Sequence, residues 1–164
     1  QRHLPMIVQR LEQKLEKLRR PRGGGEALQG AEVWWVGVRQ RYEPEGVDFA
    51  SDRCLSDATV PTALFDSVID NLLQNALEKR KREPGVKILV QMMDGGRSLA
   101  VSDTGSPVPE EVVVGLFAAP VASEDGLGIG LYHAALQASE SGYSLRLIAN
   151  AVGNVRFEMV QTAV

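Results

Sequence analysis

Asn71 and Asn75 stand four apart in the run Asp70-Asn71-Leu72-Leu73-Gln74-Asn75-Ala76. On a helix that spacing puts both amides on one face, one turn apart. Asparagine is a poor helix former, and amides on a face shared with leucines need partners. A hydrated cation or phosphate oxygens would serve, and so would water if the two simply face solvent. Asp103-Thr104-Gly105-Ser106-Pro107 closes an apolar stretch, Ser98–Ser102. A carboxylate where a buried strand opens into a glycine loop can accept a hydrogen bond from a ligand in a cleft, or cap an ordinary Asx turn. Gly126-Leu127-Gly128-Ile129-Gly130-Leu131 runs straight into a helical pattern. Alternate glycines permit close approach to a ligand, and free N–H groups at a helix start favour phosphate. A flexible hinge is the plainer alternative. A fourth group, Lys79-Arg80-Lys81-Arg82, is either a solvated helix end favoured by the dipole or a phosphate contact.

Several chemistries are excluded by the same residues. An apolar residue before Asp-Thr-Gly-Ser is how aspartic proteases present a carboxylate, but two such carboxylates must share a proton. The chain has one Asp-Thr-Gly and two long helical stretches. The spacing Gly-x-Gly-x-Gly after a long loop is not the dinucleotide fingerprint, and no Gly-Lys-Ser/Thr occurs. One cysteine, Cys54, forms no internal disulfide, and two histidines make a His-ligated zinc enzyme a poor fit.

The elements that must position these groups follow from periodicity. The chain has 164 residues, 44% hydrophobic and 24% charged, enough to bury one core. Leu4, Val8, Leu11, Leu15 and Leu18 lie on one face of an amphipathic helix ending by Pro21, with Leu4, Leu11 and Leu18 seven apart. Residues 1–22 carry a balance of +5 and the rest a balance of −8. An acidic body disfavours nucleic-acid binding. No run of 18 apolar residues occurs, and the basic start lacks the apolar core of a signal peptide. After Gly23-Gly24-Gly25, the aromatic and β-branched run Val33–Tyr42 predicts a strand, with a second near Val47–Ser51. A helix is expected over 62–80, and a hairpin of Val86–Met93 with Arg97–Asp103 turning at Asp94-Gly95-Gly96. A short helical piece at 109–117, a helix at 127–140 and a strand pair, Tyr143–Ala149 with Val155–Val160, complete the order. The class is α+β, one mostly antiparallel sheet with helices on one face.

Taken in this order, the three elements resemble the ATP-binding catalytic domain of sensor histidine kinases. These belong to the GHKL superfamily with gyrase, the ninety-kilodalton heat-shock chaperones and mismatch-repair ATPases. Asp70–Ala76 is similar to the N box, Val101–Gly105 to the first glycine box and Gly126–Leu131 to the second. Gly115-Leu116-Phe117 is similar to the F box, and Gly153–Met159 to the closing hairpin. The resemblance covers about residues 30 to 161. It implies a two-layer α/β sandwich of Bergerat type preceded by one amphipathic helix. Residues 1–22 would be the end of a dimerisation helix, and 23–164 the ATP-binding domain.

By the same resemblance the cofactors are ATP and Mg2+. Asn75 is the magnesium ligand, Asn71 supports the metal or the phosphates, and Asp103 accepts the adenine amino group. Gly105 lets the base lie against the backbone. Gly126, Leu127, Gly128, Ile129, Gly130 and Leu131 shape the phosphate contacts and the lid hinge. Two positions depart from the pattern: Pro107 replaces the second glycine of the first glycine box, and Glu78 stands where a phosphate-reaching lysine is frequent. Lys79 or Arg80 would take over that role. Asn71 stands where ATP hydrolysers carry a glutamate, and an amide cannot act as a general base. A kinase needs none for water, because its nucleophile is an imidazole on another domain.

Neither His3 nor His133 has the acidic neighbour of a phosphoacceptor. With Gln1 in place of a starting Met, the expectation is a piece of a longer, homodimeric parent. The implied partners are that parent's dimerisation and phosphoacceptor domain and a response regulator, with no nucleic acid and no membrane contact. The implied setting is the cytoplasm, with the parent open to anchoring in the inner membrane. Two alternatives stand beside this reading: a nucleotide-binding module without catalysis, and a GHKL-type protein serine kinase.

Overall fold

The computed structural model describes residues 27–52, 55, 57–117 and 127–162. The amphipathic segment Leu4–Leu18, the triple glycine and Gly126 lie outside the described residues. The elements run β1 (Leu28–Gly30), α1 (Ala31–Tyr42), β2 (Asp48–Ser51), β3 (Thr59–Pro61), α2 (Thr62–Arg82), β4 (Ile88–Met93) and β5 (Ser98–Asp103). There follow α3 (Glu110–Val113), α4 (Leu127–Glu140), β6 (Tyr143–Ala151) and β7 (Asn154–Gln161). Five strands form one sheet in the order β2-β4-β5-β7-β6. Only β2 and β4 pair in parallel, so the sheet is mixed and mostly antiparallel, as expected. β1 and β3 form a separate antiparallel pair.

Alternation along the strands decides what the helices cover. Ile88, Val90 and Met92 of β4 are buried while Leu89, Gln91 and Met93 are half-buried. The register pairs Met92 with Leu99, Val90 with Val101 and Ile88 with Asp103. Residues paired directly across an antiparallel ladder share a face. Asp103 therefore lies in the row of the apolar core, at its end. Seven residues of α2 from Leu64 to Ala76 are buried into the same core. Each large apolar side chain so covered contributes about 1.5–3 kcal/mol.

One element departs from expectation. Val33–Tyr42, expected as a strand, lies within helix α1. A strand would bury Trp34, Val36 and Val38, or else Val33, Trp35 and Gly37. The structure buries Ala31, Trp34, Trp35 and Val38 and leaves Val33 62% and Val36 46% exposed, which is helical spacing. Packing overrides the β-propensity of the run. Trp34 meets Phe65 edge-on at 5.2 Å, and its indole N–H donates to Asp66 Oδ1 at 2.9 Å. Trp35 meets Phe49 at 5.4 Å. Tyr42 Oη–H donates to Asp70 Oδ1 at 2.6 Å, and burial, then this bond, pushes the phenol pKa well up.

Candidate functional site

Helix α2 carries Asn71, Asn75 and Lys79 at successive turns of one face. The three are not alike. Asn71 Nδ2–H donates back to the Ser67 carbonyl at 2.8 Å, while Oδ1 faces the first turn of α4. A methyl group at Gly130 would stand 2.5 Å from that oxygen, so only glycine fits. Asn75 is half-buried, and its side-chain amide makes no hydrogen bond to any described residue. Lys79 Nζ–H donates to Asp103 Oδ1 at 3.0 Å, to Oδ2 at 3.1 Å and to the Ser106 carbonyl at 2.9 Å.

Asp103 and Lys79 are nearly covered, their side chains 8% and 13% exposed. Gly105 N–H also donates to Asp103 Oδ1, at 2.9 Å. A methyl group on Gly105 would lie 2.6 Å from Lys79 Cδ and 3.1 Å from Val86 Cγ2. The lysine stem thus fills the space that glycine leaves open. Of the two basic candidates for phosphate, Lys79 reaches this carboxylate instead. Arg80 donates to the Gly46 carbonyl at 3.3 Å and also to the Glu45 carbonyl, which holds it on the α1–β2 connection.

The loop after β5 is tied on three sides, two of them by Glu83 and Asn150, which the sequence did not single out. Glu83, one turn beyond Lys79, accepts from Ser106 N–H at 3.0 Å and from Ser106 Oγ–H at 2.7 Å. Those bonds from Ser106 hold the Glu83 carboxyl below its usual range, with help from the Lys79 and Arg82 charges. Gly153 N–H donates to the Gly105 carbonyl at 3.0 Å. Asn150 grips both backbone groups of Val108: its Oδ1 accepts at 2.7 Å and its Nδ2 donates at 2.9 Å. An irregularity in the β6–β7 ladder between Leu147 and Ala149 puts Asn150 opposite Val155, in the same cross-strand row as Asp103.

The structure thus brings Asn71, Asn75, Lys79, Asp103, Gly105 and Gly130 to one corner, between α2, the end of β5 and the start of α4. Leu127, Gly128 and Ile129 form the first turn of that helix. The Leu131 side chain lies wholly in the core and offers a ligand only its main chain. Leu116 is buried and Phe117 meets Phe157 edge-on at 6.4 Å, so the segment after α3 is anchored to the sheet. Chemically, the corner offers one oxygen-bearing amide without a partner, a covered carboxylate and a glycine-lined approach. Among the described residues it offers no free general base. Asp70 is bound to Tyr42, with Arg41 at 3.8 Å, on the α1 side of the helix.

The family described as Histidine kinase-, DNA gyrase B-, and HSP90-like ATPase matches residues 61–160. The fold is similar to that of the catalytic domain of histidine kinase ThkA. That likeness has a TM-score of 0.63 and 23% identity over 85% of this chain and 97% of that one. Full-length ShkA in complex with AMPPNP has a TM-score of 0.66 and 20% identity, over 86% of this chain and 33% of ShkA. ThkA in complex with response regulator TrrA has a TM-score of 0.64 and 20% identity, over 96% of this chain and 49% of that one. No curated protein sequence matches. No helix among the described residues is long and apolar enough to cross a membrane. A family match across 61–160, laid on a Bergerat-type sandwich with both asparagines, Asp103 and Gly130 at one corner, places the chain in the histidine kinase-, DNA gyrase B- and HSP90-like ATPase family.

Proposed function

We propose that residues 23–164 are the ATP-binding catalytic domain of a two-component sensor histidine kinase. It transfers the γ-phosphoryl to a histidine on a dimerisation domain of the same protein, of which residues 1–22 are the end. The observation that carries this reading is Asn75, a half-buried amide with no partner among the described residues. It sits one turn from the Asn71–Gly130 contact on one side and from the Lys79–Asp103 pair on the other.

Asp103 accepts the adenine amino group, and Gly105 lets the base approach the backbone. Gly126, Gly128 and Gly130, with the main chain of Leu127, Ile129 and Leu131, receive the phosphates. Asn75 fits Mg2+, which takes hard oxygen ligands and keeps several waters. Among the described residues no three acidic, histidine or cysteine side chains gather to hold a metal, so one or two amides and the phosphates would be its ligands. Held there, such an ion would supply neutralisation of phosphate charge. Asn71, tied to Ser67 and packed on Gly130, holds its helix face in place but accepts no proton. Asp70 is held by Tyr42, Asp66 by Trp34 and Arg41, and Glu78 by Lys81, so each carboxylate of this helix is already engaged. That favours transfer to an imidazole over hydrolysis.

The complex of ThkA with TrrA supports a response regulator as downstream partner. The setting we propose is the cytoplasm, with a homodimeric parent. Calorimetric titration with ATP tests the reading: binding is expected with magnesium and greatly weakened without it. No ATP binding in either buffer would reject the proposal. Mixed with its dimerisation segment and labelled ATP, the domain is expected to place acid-labile phosphate on that segment. The Lys79–Asp103 pair and Pro107 favour a second reading, a nucleotide-binding module without phosphotransfer. Magnesium-dependent ATP binding with no label transferred would select it, and acid-stable label would select a serine kinase.

A further inference from the structure

Lys79 is held by the protein's own acceptors. Its ammonium is surrounded by three acceptors, both oxygens of Asp103 and the Ser106 carbonyl, within 2.9–3.1 Å. Its Cδ occupies the space over Gly105. Lys79 donates to both oxygens of the carboxylate that a purine would use, and its stem covers the side-chain-free backbone that the base would lie against. The arrangement is built: Asp103 sits in the core row of β5, opposite Ile88 and Val155. Glu83, one turn beyond Lys79, secures the N–H and hydroxyl of the same Ser106 whose carbonyl the lysine holds.

We propose that Lys79 is the specificity-determining residue of the base pocket, an internal competitor that a base must displace from Asp103. The proposal rests on the reading of Asp103 as the base acceptor. Its chemistry is selective. A purine bearing a 6-amino group donates to Asp103 and gains from an unpaired carboxylate, but with the lysine in place it must first break a nearly buried ion pair. A purine bearing a 6-oxo group presents an acceptor there and gains nothing from the bare carboxylate. Lys79 therefore lowers affinity for adenine nucleotides and narrows their advantage over 6-oxo nucleotides.

The experiment compares the parent with Lys79→Met, which keeps the stem's bulk and removes the charge, titrating ATP and ITP in magnesium. A charged hydrogen bond is worth enough that ATP is expected to bind about tenfold tighter to Lys79→Met, with ITP changed by less than about twofold. Lys79→Gln keeps a neutral donor for the Ser106 carbonyl and stands in if the methionine variant melts early. Equal or weaker ATP binding in the variant would overturn the proposal, because the lysine would then be a ligand contact. Equal tightening for both nucleotides would overturn it too, because the lysine charge would then not discriminate between 6-amino and 6-oxo purines. If no protein in the set binds either nucleotide, the nucleotide-domain reading itself fails and takes this proposal with it.

Discussion

At the middle of α2 the Asn75 amide has no partner among the described residues, whereas one turn further on Lys79 is held by three acceptors. The two positions share a helix face and a period, yet one is left for a ligand and the other is closed by the fold. The contrast separates groups that stabilise the protein from groups that serve a ligand. Satisfied polar groups should move stability when deleted, and unsatisfied ones should move binding alone. Asp103, ion-paired with Lys79 in this structure yet assigned to the base, should move both.

Asn75→Ala breaks the contrast most sharply. Loss of the amide is expected to weaken magnesium-dependent ATP binding by about a hundredfold, of the order seen when metal-site groups are removed. The melting temperature should stay within a degree or two, since no hydrogen bond is lost; a large drop would show that the amide serves the core. Asp103→Asn is next. ATP affinity is expected to fall about 10- to 100-fold, and stability by about 1–3 kcal/mol, because Lys79 loses its counter-charge. Unchanged melting would mean that the ion pair does not persist in solution.

Gly130→Ala sharpens the comparison from the other side, since it strikes the committed Asn71. A methyl 2.5 Å from Oδ1 must either turn the Asn71 amide off its Ser67 bond or push α4 away from α2. Overpacking of this kind costs about 1–3 kcal/mol, or roughly 3–10 °C in Tm. A variant that melts like the parent would show that the two helices do not pack this closely. The smallest effect belongs to Glu83. Its folded pKa lies below the unfolded value, so its clamp on Ser106 contributes fully above the unfolded pKa and is lost as pH falls through the folded one. Amide exchange at Ser106, with exchange chemistry corrected, is expected to quicken below about pH 4.5 in the parent. In Glu83→Gln it should be faster at neutral pH and nearly independent of pH there.

Much of this was legible from residue types alone. The helix over 62–80, the hairpin around Asp94-Gly95-Gly96 and the closing strand pair follow from period and turn residues, and the structure has them at Thr62–Arg82, β4–β5 and β6–β7. The convergence of the two asparagines with Asp103 and Gly130 came from the resemblance to the histidine kinase ATP-binding domain, since the residues alone left a plain alternative at each element. What was not legible depends on contacts between elements. In Val33–Tyr42 composition and period disagreed, and only the burial of Ala31, Trp34, Trp35 and Val38 decides for a helix. The reach of Lys79 to Asp103 requires the β4–β5 register and the empty side of Gly105 together. Asn150 reaches Val108 only beyond a ladder irregularity that no local signal announces. A signal did exist for Glu83: it is four residues from Lys79, at the end of the same helix.

The neighbouring indoles of α1 have an optical consequence. Trp34 and Trp35 are the chain's only tryptophans, and both are buried, one edge-on to Phe65 of α2 and the other to Phe49 of β2. Intrinsic emission is therefore the signature of one seam, where α1 seats on its neighbours. As that seam opens in denaturant, water reaches both rings at once and the emission shifts to the red, a built-in gauge of integrity. Occupancy of the corner around Asn75 has no indole of its own to report it, and a fluorescent nucleotide would give the two events separate colours.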